Sequence, residues 1–249
     1  MKSIIAPSAL SSDFGHLTAE CKRMIKNGAD WLHMDVMDGY VTHPIPHSQL
    51  MPLLVILFPI LPSVCPSIAC APVLSSVKKG IPDIFMDCHM MVSQPERWVD
   101  DIAAAGGASY TFHYEATNDH MDIIEMIHEH NMRAGIAISP DTPSTVITDE
   151  IANAVDMILV MTVNPGRGGQ KFMARCMPKV SELRARFPDK DIQVDGGVST
   201  ENIETCADAG SNVIVAGTSI FMAQDPSQVI STLRAAVDAA ITSRKSATS

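Results

Sequence analysis

DIQVDGGVSTENIETCADAGSNVIVAGTS, Asp191 to Ser219, contains one complete repeat of the chain's organisation. DIQVDGG (Asp191 to Gly197) and NVIVAGTS (Asn212 to Ser219) are short apolar, partly β-branched runs that read as strands. Between them, Ser199-Thr200-Glu201 opens a helix that ends near Gly210. Two strands joined through a helix make a βαβ unit, and such units build a parallel sheet.

The same alternation runs outward to both ends of the chain. Six further strand candidates are IIAPSAL (Ile4 to Leu10), WLHMDVMD (Trp31 to Asp38), DIFMDCHMMV (Asp83 to Val92), SYTFHYE (Ser109 to Glu115), RAGIAIS (Arg133 to Ser139) and MILVMTV (Met157 to Val163). Helical text follows each strand. Ser12 and Asp13 can cap a helix running to Gly28, and Gln94-Pro95-Glu96 opens one that reaches Gly106, with proline in the first turn. Asp225-Pro226-Ser227 starts the last helix, in which Val229, Ile230, Leu233, Val237 and Ile241 form one apolar stripe. Eight βα units without a strong linker predict an α/β fold, a single (β/α)8 TIM barrel spanning residues 1–249 as one domain. A doubly wound open sheet is the competing architecture, but the GxGxxG turn that would favour it is missing after the first strand.

Composition narrows the function classes. The 249 residues, 46% hydrophobic and 18% charged with 14 Gly and 16 Pro, exclude disorder and collagen-like structure. A formal net charge of −10 argues against a nucleic-acid partner, while a small phosphorylated metabolite stays open because backbone amides can hold it. The six cysteines (Cys21, Cys65, Cys70, Cys88, Cys176, Cys206) are scattered with no CxxC pair, and MKSIIAPSAL is too short for an apolar signal region, so a reduced, cytoplasmic setting is expected. The longest apolar run, LLVILF (Leu53 to Phe58), falls far short of the about 20 residues of a spanning helix, so no membrane span is expected.

In such a barrel the chemistry lies at the carboxyl ends of the strands. Ionisable residues there are His33, Asp35 and Asp38 on the second strand, Asp87 and His89 on the third, His113 and Glu115 on the fourth, and Asp195 on the seventh. Period-two alternation puts His33 and Asp35 on one face, and Asp87 and His89 on one face. Burying these groups unpartnered costs on the order of several kcal/mol each, a cost that a divalent cation relieves. His33, Asp35, His89 and Asp195 form a two-histidine, two-carboxylate set suited to zinc, iron, manganese or cobalt. Taken singly, each also reads as a satisfied barrel histidine or a capping aspartate. PGRGG (Pro165 to Gly169), DGG (Asp195 to Gly197) and AGTS (Ala216 to Ser219) follow strands six, seven and eight, where such barrels bind phosphate.

APS near the start, HMDVMDG (His33 to Gly39), DCHMMV (Asp87 to Val92), FHYEA (Phe112 to Ala116), VMTVNPGRGGQKF (Val160 to Phe172) and VDGGV (Val194 to Val198) together closely resemble the ribulose-phosphate 3-epimerase family, over nearly the whole chain apart from the region after Tyr40. The resemblance implies a metal-dependent isomerase of the pentose phosphate pathway that interconverts D-ribulose 5-phosphate and D-xylulose 5-phosphate through an enediolate. One divalent metal ion would be held by His33, Asp35, His89 and Asp195, with Asp35 as proton acceptor and Asp195 as donor. Ser8, His89 and Asp195 would touch the substrate, and Gly166, Arg167, Gly168, Gly169, Gly196, Gly197, Gly217, Thr218 and Ser219 would surround its phosphate end. Met37, Met91 and Met161 sit where the family shields the reacting carbons, although ordinary apolar filling explains them equally well. Family members often form homo-oligomers, which is all that bears on assembly.

The chain departs from the family after MDGY. A short loop of the type FVPNITFG is replaced by a proline-rich, nearly uncharged stretch, and about two dozen residues, at about 42–66, are extra before APVLSSVKKG resumes the pattern. Three readings are open: an evolved lid, an apolar docking segment, and a retained intron, which the pyrimidine-rich codons of Leu, Phe, Pro and Ser favour. His43 and His47 lie in this stretch, but Pro44 and Pro46 argue against a shared helix face. Arg167 stands where the family commonly has Phe. Two alternatives to the pentulose epimerase follow, an epimerase of a six-carbon ketose phosphate and a barrel whose catalysis the insertion impairs.

Overall fold

The computed structural model describes residues 1–38, 71–166 and 169–248. The insertion expected at 42–66, with His43 and His47, and the loop residues Arg167 and Gly168 lie outside the described residues.

Eight parallel strands form one sheet: β1 (Ile4–Pro7), β2 (Leu32–Met37), β3 (Met86–Met91), β4 (Ser109–His113), β5 (Arg133–Ile138), β6 (Met157–Met161), β7 (Asp191–Asp195) and β8 (Val213–Ala216). Their order is β1-β8-β7-β6-β5-β4-β3-β2, and a parallel bridge between Ser8 and His33 brings the two ends of the sheet together. This is the (β/α)8 barrel that the alternation predicts. Helices return each chain end to the start of the next strand: α1 (Leu17–Lys26), α2 (Ala71–Gly80), α3 (Val99–Ala104), α4 (His120–Glu129), α5 (Asp149–Ala154), α6 (Met177–Arg186), α7 (Ile203–Ala209), the short α8 (Thr218–Phe221) and α9 (Pro226–Thr248).

Period two sorts every strand. On β2, Leu32, Met34 and Val36 face outward into the main core beneath the helices, while His33, Asp35 and Met37 face inward. The α9 stripe behaves as expected: Ile230, Leu233, Val237 and Ile241 are buried and Val229 is half-buried against the same core. Each fully buried side chain of this kind contributes about 1.5–3 kcal/mol relative to exposure. Inside the ring, the floor is apolar, built by Ile4, Ala6, Met157, Val213 and Val215 with Trp31 stacked on Phe85 at 4.4 Å. The inward residues of β2, β3 and β4 are instead largely polar, and those three strands hold the buried residues His33, Asp35, Asp87, His89 and His113.

Several element ends differ from the expectation. The strands stop short of the expected carboxyl ends because the residues beyond them leave the ladder. Leu10 and Glu115 lie in 3-10 turns (Ala9–Ser11 and Tyr114–Ala116), and Gly196 and Gly217 come directly after β7 and β8. Asp13 caps a 3-10 turn (Phe14–His16), accepting from the Gly15 amide at 2.9 Å, and α1 begins only after it. Pro95 likewise opens a 3-10 turn (Pro95–Trp98) that leads into α3. Gly210 ends α7 with φ 116°, a left-handed conformation in which glycine carries no Cβ penalty.

Candidate active site

Register places the first ionisable pairs side by side. In the β2–β3 ladder His33 pairs with Asp87 and Asp35 with His89, so four inward side chains occupy two adjacent levels. They lie deeper than strand ends: His33 and Asp87 are the second residues of their strands and Asp35 and His89 the fourth. Barrel stagger accounts for this, since the parallel bridge brings Ser8, just past the end of β1, level with His33. Asp195, the last residue of β7, reaches the same space from the far side.

His33, Asp35, His89 and Asp195 converge so that one donor atom from each lies within 4.8 Å of the others. His33 Nε2 is 3.6 Å from both Asp35 Oδ1 and Asp195 Oδ2, and His89 Nδ1 is 3.5 Å from the same two oxygens. The two ring nitrogens are 3.4 Å apart. Five of the six separations in the set are thus 3.4–3.6 Å, the spacing of donors about 2.1–2.2 Å from a shared centre, which is the bond length of zinc and its neighbours to imidazole and carboxylate. The residues therefore fit a divalent cation.

The electrostatics point the same way. Burial opposes charge on His33, yet the Asp35 charge and the contacts with Asp195 and Asp87 outweigh it and hold the ring well above its ordinary pKa. Burial likewise opposes charge on Asp35, but His33 and His89 hold its carboxyl low, and Asp195 is lowered by the same two rings. Three carboxylates against two imidazoles make a buried site that calls for positive charge.

The carboxylates differ in their second oxygen. Asp35 Oδ2 accepts from Ser8 Oγ at 2.6 Å, in a site where both residues are buried. Asp195 is the most exposed of the four, its side chain 15% accessible against 6% for Asp35. Both line a cavity of ≈ 290 Å³. Met37, Met91 and Met161 line it with the carboxylates, and so do Ser8, Gly166, Gly169, Gly196, Gly197, Gly217, Thr218 and Ser219 among others. His89 lies beneath, fully buried. The wall at Gly197 needs glycine: φ is +68°, and a Cβ there would lie 2.6 Å from the Phe172 amide nitrogen and 2.9 Å from the Gln170 carbonyl. The first turn of α8 adds amides without intrahelical acceptors. Among the described residues lining the cavity there is no lysine or arginine, so its anion-binding groups are neutral: backbone amides, the Ser and Thr hydroxyls and the side-chain amides of Asn164 and Gln170.

The residues behind the cluster carry a weaker sequence signal. Asp87 does not face the cluster's centre; its Oδ2 accepts from His33 Nδ1 at 2.8 Å and from Gln193 Nε2 at 2.6 Å, and its Oδ1 from Ser109 Oγ at 2.5 Å. Gln193 was legible only as the residue two before Asp195, on the same face of β7. Thr162 Oγ1 bonds the carbonyls of Asp195 (2.8 Å) and Gly196 (2.7 Å) and so steadies the turn that leads from carboxylate to glycine wall. Asp38 is buried and accepts from the Ser93 amide (2.6 Å) and hydroxyl (2.8 Å), tying the exit of β2 to that of β3.

Comparison with known proteins places the chain. The model of the ribulose-phosphate 3 epimerase family matches residues 4–48 and 65–221, leaving out 49–64 within the expected insertion. Ribulose-phosphate 3-epimerase of Candida glabrata is 49% identical, covering 94% of this chain and 92% of the relative, and that of Schizosaccharomyces pombe is 46% identical, covering 94% and 93%. Rice has a relative named as the cytoplasmic isoform, 44% identical over 94% of each chain. Among solved structures, 3-hexulose-6-phosphate synthase from Salmonella typhimurium shares the fold, with TM-score 0.64 at 14% identity over 96% of this chain and 100% of that one. Among the described residues no helix is long and apolar enough to cross a membrane. Matched over most of its length by the family model and by relatives near half identity, the chain belongs to the ribulose-phosphate 3-epimerase family.

Proposed function

We propose that this chain interconverts D-ribulose 5-phosphate and D-xylulose 5-phosphate by moving a proton at C3 between two aspartates on opposite sides of the substrate. The observation that carries this is the placement of Asp35 and Asp195, two buried-site carboxylates from walls three strand steps apart around the ring, both lining one cavity with a glycine-walled end. Inverting a carbon beside a ketone requires one group to take the C3 proton and another to return one to the opposite face. Asp35 is the acceptor, with Ser8 steadying its Oδ2, and Asp195 is the donor, its side chain the more accessible of the two. Met37, Met91 and Met161 surround the reacting carbons with apolar surface that keeps water from the enediolate. The loops at Gly166–Gly169, Gly196–Gly197 and Gly217–Ser219 hold the phosphate, Arg167 and Gly168 belonging to the first of them. His33 Nε2, His89 Nδ1, Asp35 and Asp195 would hold a divalent cation, zinc, iron, manganese or cobalt, which would supply Lewis-acid stabilisation of negative charge.

The reading is tested with purified protein. Coupled turnover of ribulose 5-phosphate, lost on chelation and restored by one of the four metals, supports it, and its absence with metal bound sinks it. Comparing a six-carbon ketose 6-phosphate in the same assay settles the carbon count. The same reading takes residues 1–249 as one domain in the cytoplasm and expects a homo-oligomer, which sedimentation measures directly.

A further inference from the structure

The two metal-facing histidines present different nitrogens, His33 its Nε2 and His89 its Nδ1. A ring nitrogen can hold a cation only with its lone pair free, so each proton must sit on the other nitrogen. For His33 the reason is direct: Nδ1 faces Asp87 Oδ2 at 2.8 Å, and a carboxylate only accepts. His89 has no carboxylate behind it. Its Nε2 meets His113 Nε2 at 2.9 Å, and two ring nitrogens can share a proton in either direction. The ambiguity is removed one residue further out, because His113 Nδ1 faces Glu115 Oε2 at 3.3 Å.

We propose that Glu115, acting through His113, is a positioning residue that keeps the His89 proton on Nε2 and so leaves Nδ1 free for the cation. This rests on the metal-site reading given above. The hydrogen-bond polarity propagates without choice. Glu115 accepts, so His113 carries its proton on Nδ1; its Nε2 then accepts, so His89 must donate from Nε2. Glu115 is itself held as a pure acceptor, since Oε1 takes the Ser139 amide at 2.8 Å and the Thr142 hydroxyl. Both donors come from the loop after β5, which Lys179 Nζ clamps from α6 through the carbonyls of Ser139 (2.7 Å), Pro140 (3.1 Å) and Thr142 (3.0 Å). A loop remote from the cavity thereby sets the chemistry of a metal ligand.

Glu115→Gln is a sharp perturbation because it preserves shape and reverses polarity. The Ser139 amide can only donate, so the glutamine oxygen stays at the Oε1 position and its NH2 faces His113 Nδ1. His113 Nδ1 must then accept, its proton moves to Nε2, and that N–H confronts the N–H of His89. Zinc affinity, measured by competition with a chelating dye, should fall about 10–100-fold, the range for loss of a partner behind a metal ligand. Nitrogen NMR of the zinc-loaded protein gives an independent readout: the wild type should carry the His113 proton on Nδ1 and the His89 proton on Nε2, with the His113 proton moved to Nε2 in Glu115→Gln. A wild-type His113 protonated on Nε2, unchanged zinc affinity in the variant, or weakened affinity with the His113 tautomer unmoved would each overturn the inference. A wild type that takes up no zinc overturns the metal site itself and this inference with it.

Discussion

Replacing one aspartate at a time with asparagine separates the two faces of the reaction. Asn keeps the size and one oxygen of Asp35 or Asp195, so the cluster, with His–Asp and His–His separations of 3.4–3.6 Å, keeps a donor at every corner. What is lost is the group that moves the proton, an effect of about 10²–10⁴ in rate, equivalent to about 2.7–5.5 kcal/mol. Epimer interconversion should fall by that factor in both variants. Solvent exchange at C3 should survive in one epimer and be lost in the other. In Asp195→Asn, Asp35 still removes the proton on its own face and returns one to the same face, so one epimer exchanges its C3 hydrogen with deuterated water without being converted. Asp35→Asn should show the complement, exchange in the other epimer only. The measurement is proton NMR of each epimer incubated separately with metal-loaded variant, metal content being verified on the same samples. The Asp35 side chain is held by Ser8 and 6% accessible, whereas that of Asp195 is 15% accessible, so exchange should be the faster in Asp35→Asn, where Asp195 remains. Interconversion within tenfold of wild type in either metal-loaded variant, or equal exchange from both epimers in one variant, would refute the two-base arrangement.

Three further outcomes follow from the geometry. Gly197→Ala places a Cβ 2.6 Å from the Phe172 amide nitrogen at φ +68°; strain of about 1–2 kcal/mol and a displaced 170–172 segment should raise KM about tenfold with a smaller change in kcat, read in the coupled assay. Asp30 ties three elements together: burial works against its charge, but the Ile5 amide (2.9 Å), Arg234 (2.8 Å) and Lys2 (3.2 Å) outweigh it and hold the carboxyl below its ordinary value. A lowered folded pKa stabilises above the unfolded value and loses that stabilisation as pH falls, so Asp30→Asn should cost about 2 kcal/mol at neutral pH, and the gap in denaturant midpoint should close below about pH 4. Excising residues 49–64, the piece the family model leaves out, should preserve the circular dichroism spectrum and epimerase turnover; a folded but inactive product would instead make that segment part of the enzyme.

Strand-level periodicity carried most of the fold. His33, Asp35, Asp87 and His89 could be set on one face because β2 and β3 alternate strictly, and the helix stripe of α9 was legible for the same reason at a different period. Element ends were less legible, because a strand ends where its backbone leaves the ladder. The residues after β1, β7 and β8 are small or glycine, and nothing in their local pattern states whether they continue in the sheet or turn over the mouth. Asp13 shows the same limit at a helix start, where an acceptor side chain suits a 3-10 turn as well as an α-helix.

Within the site, alternation cannot say which of two inward carboxylates faces the cation. Asp87 and Asp195 both point inward, and the division of labour comes from pairing: Asp87 lies directly across from His33 and takes its Nδ1 proton, while Asp195 approaches from β7 and meets Nε2. The histidines pose the same problem one level finer, since a sequence names a ring but not the nitrogen it presents. That choice is made by His33's neighbour in the ladder in one case, and in the other by Glu115 through His113. The FHYEA motif therefore contributes at a distance: its histidine and glutamate sit two residues apart, at the end of β4 and in the turn beyond, so that one touches the ligand and the other reaches the loop after β5. A substitution in that loop that removed the Ser139 or Thr142 contact would loosen the acceptor at the head of this chain of hydrogen bonds. On this proposal the candidate metal site depends on residues that do not line the cavity.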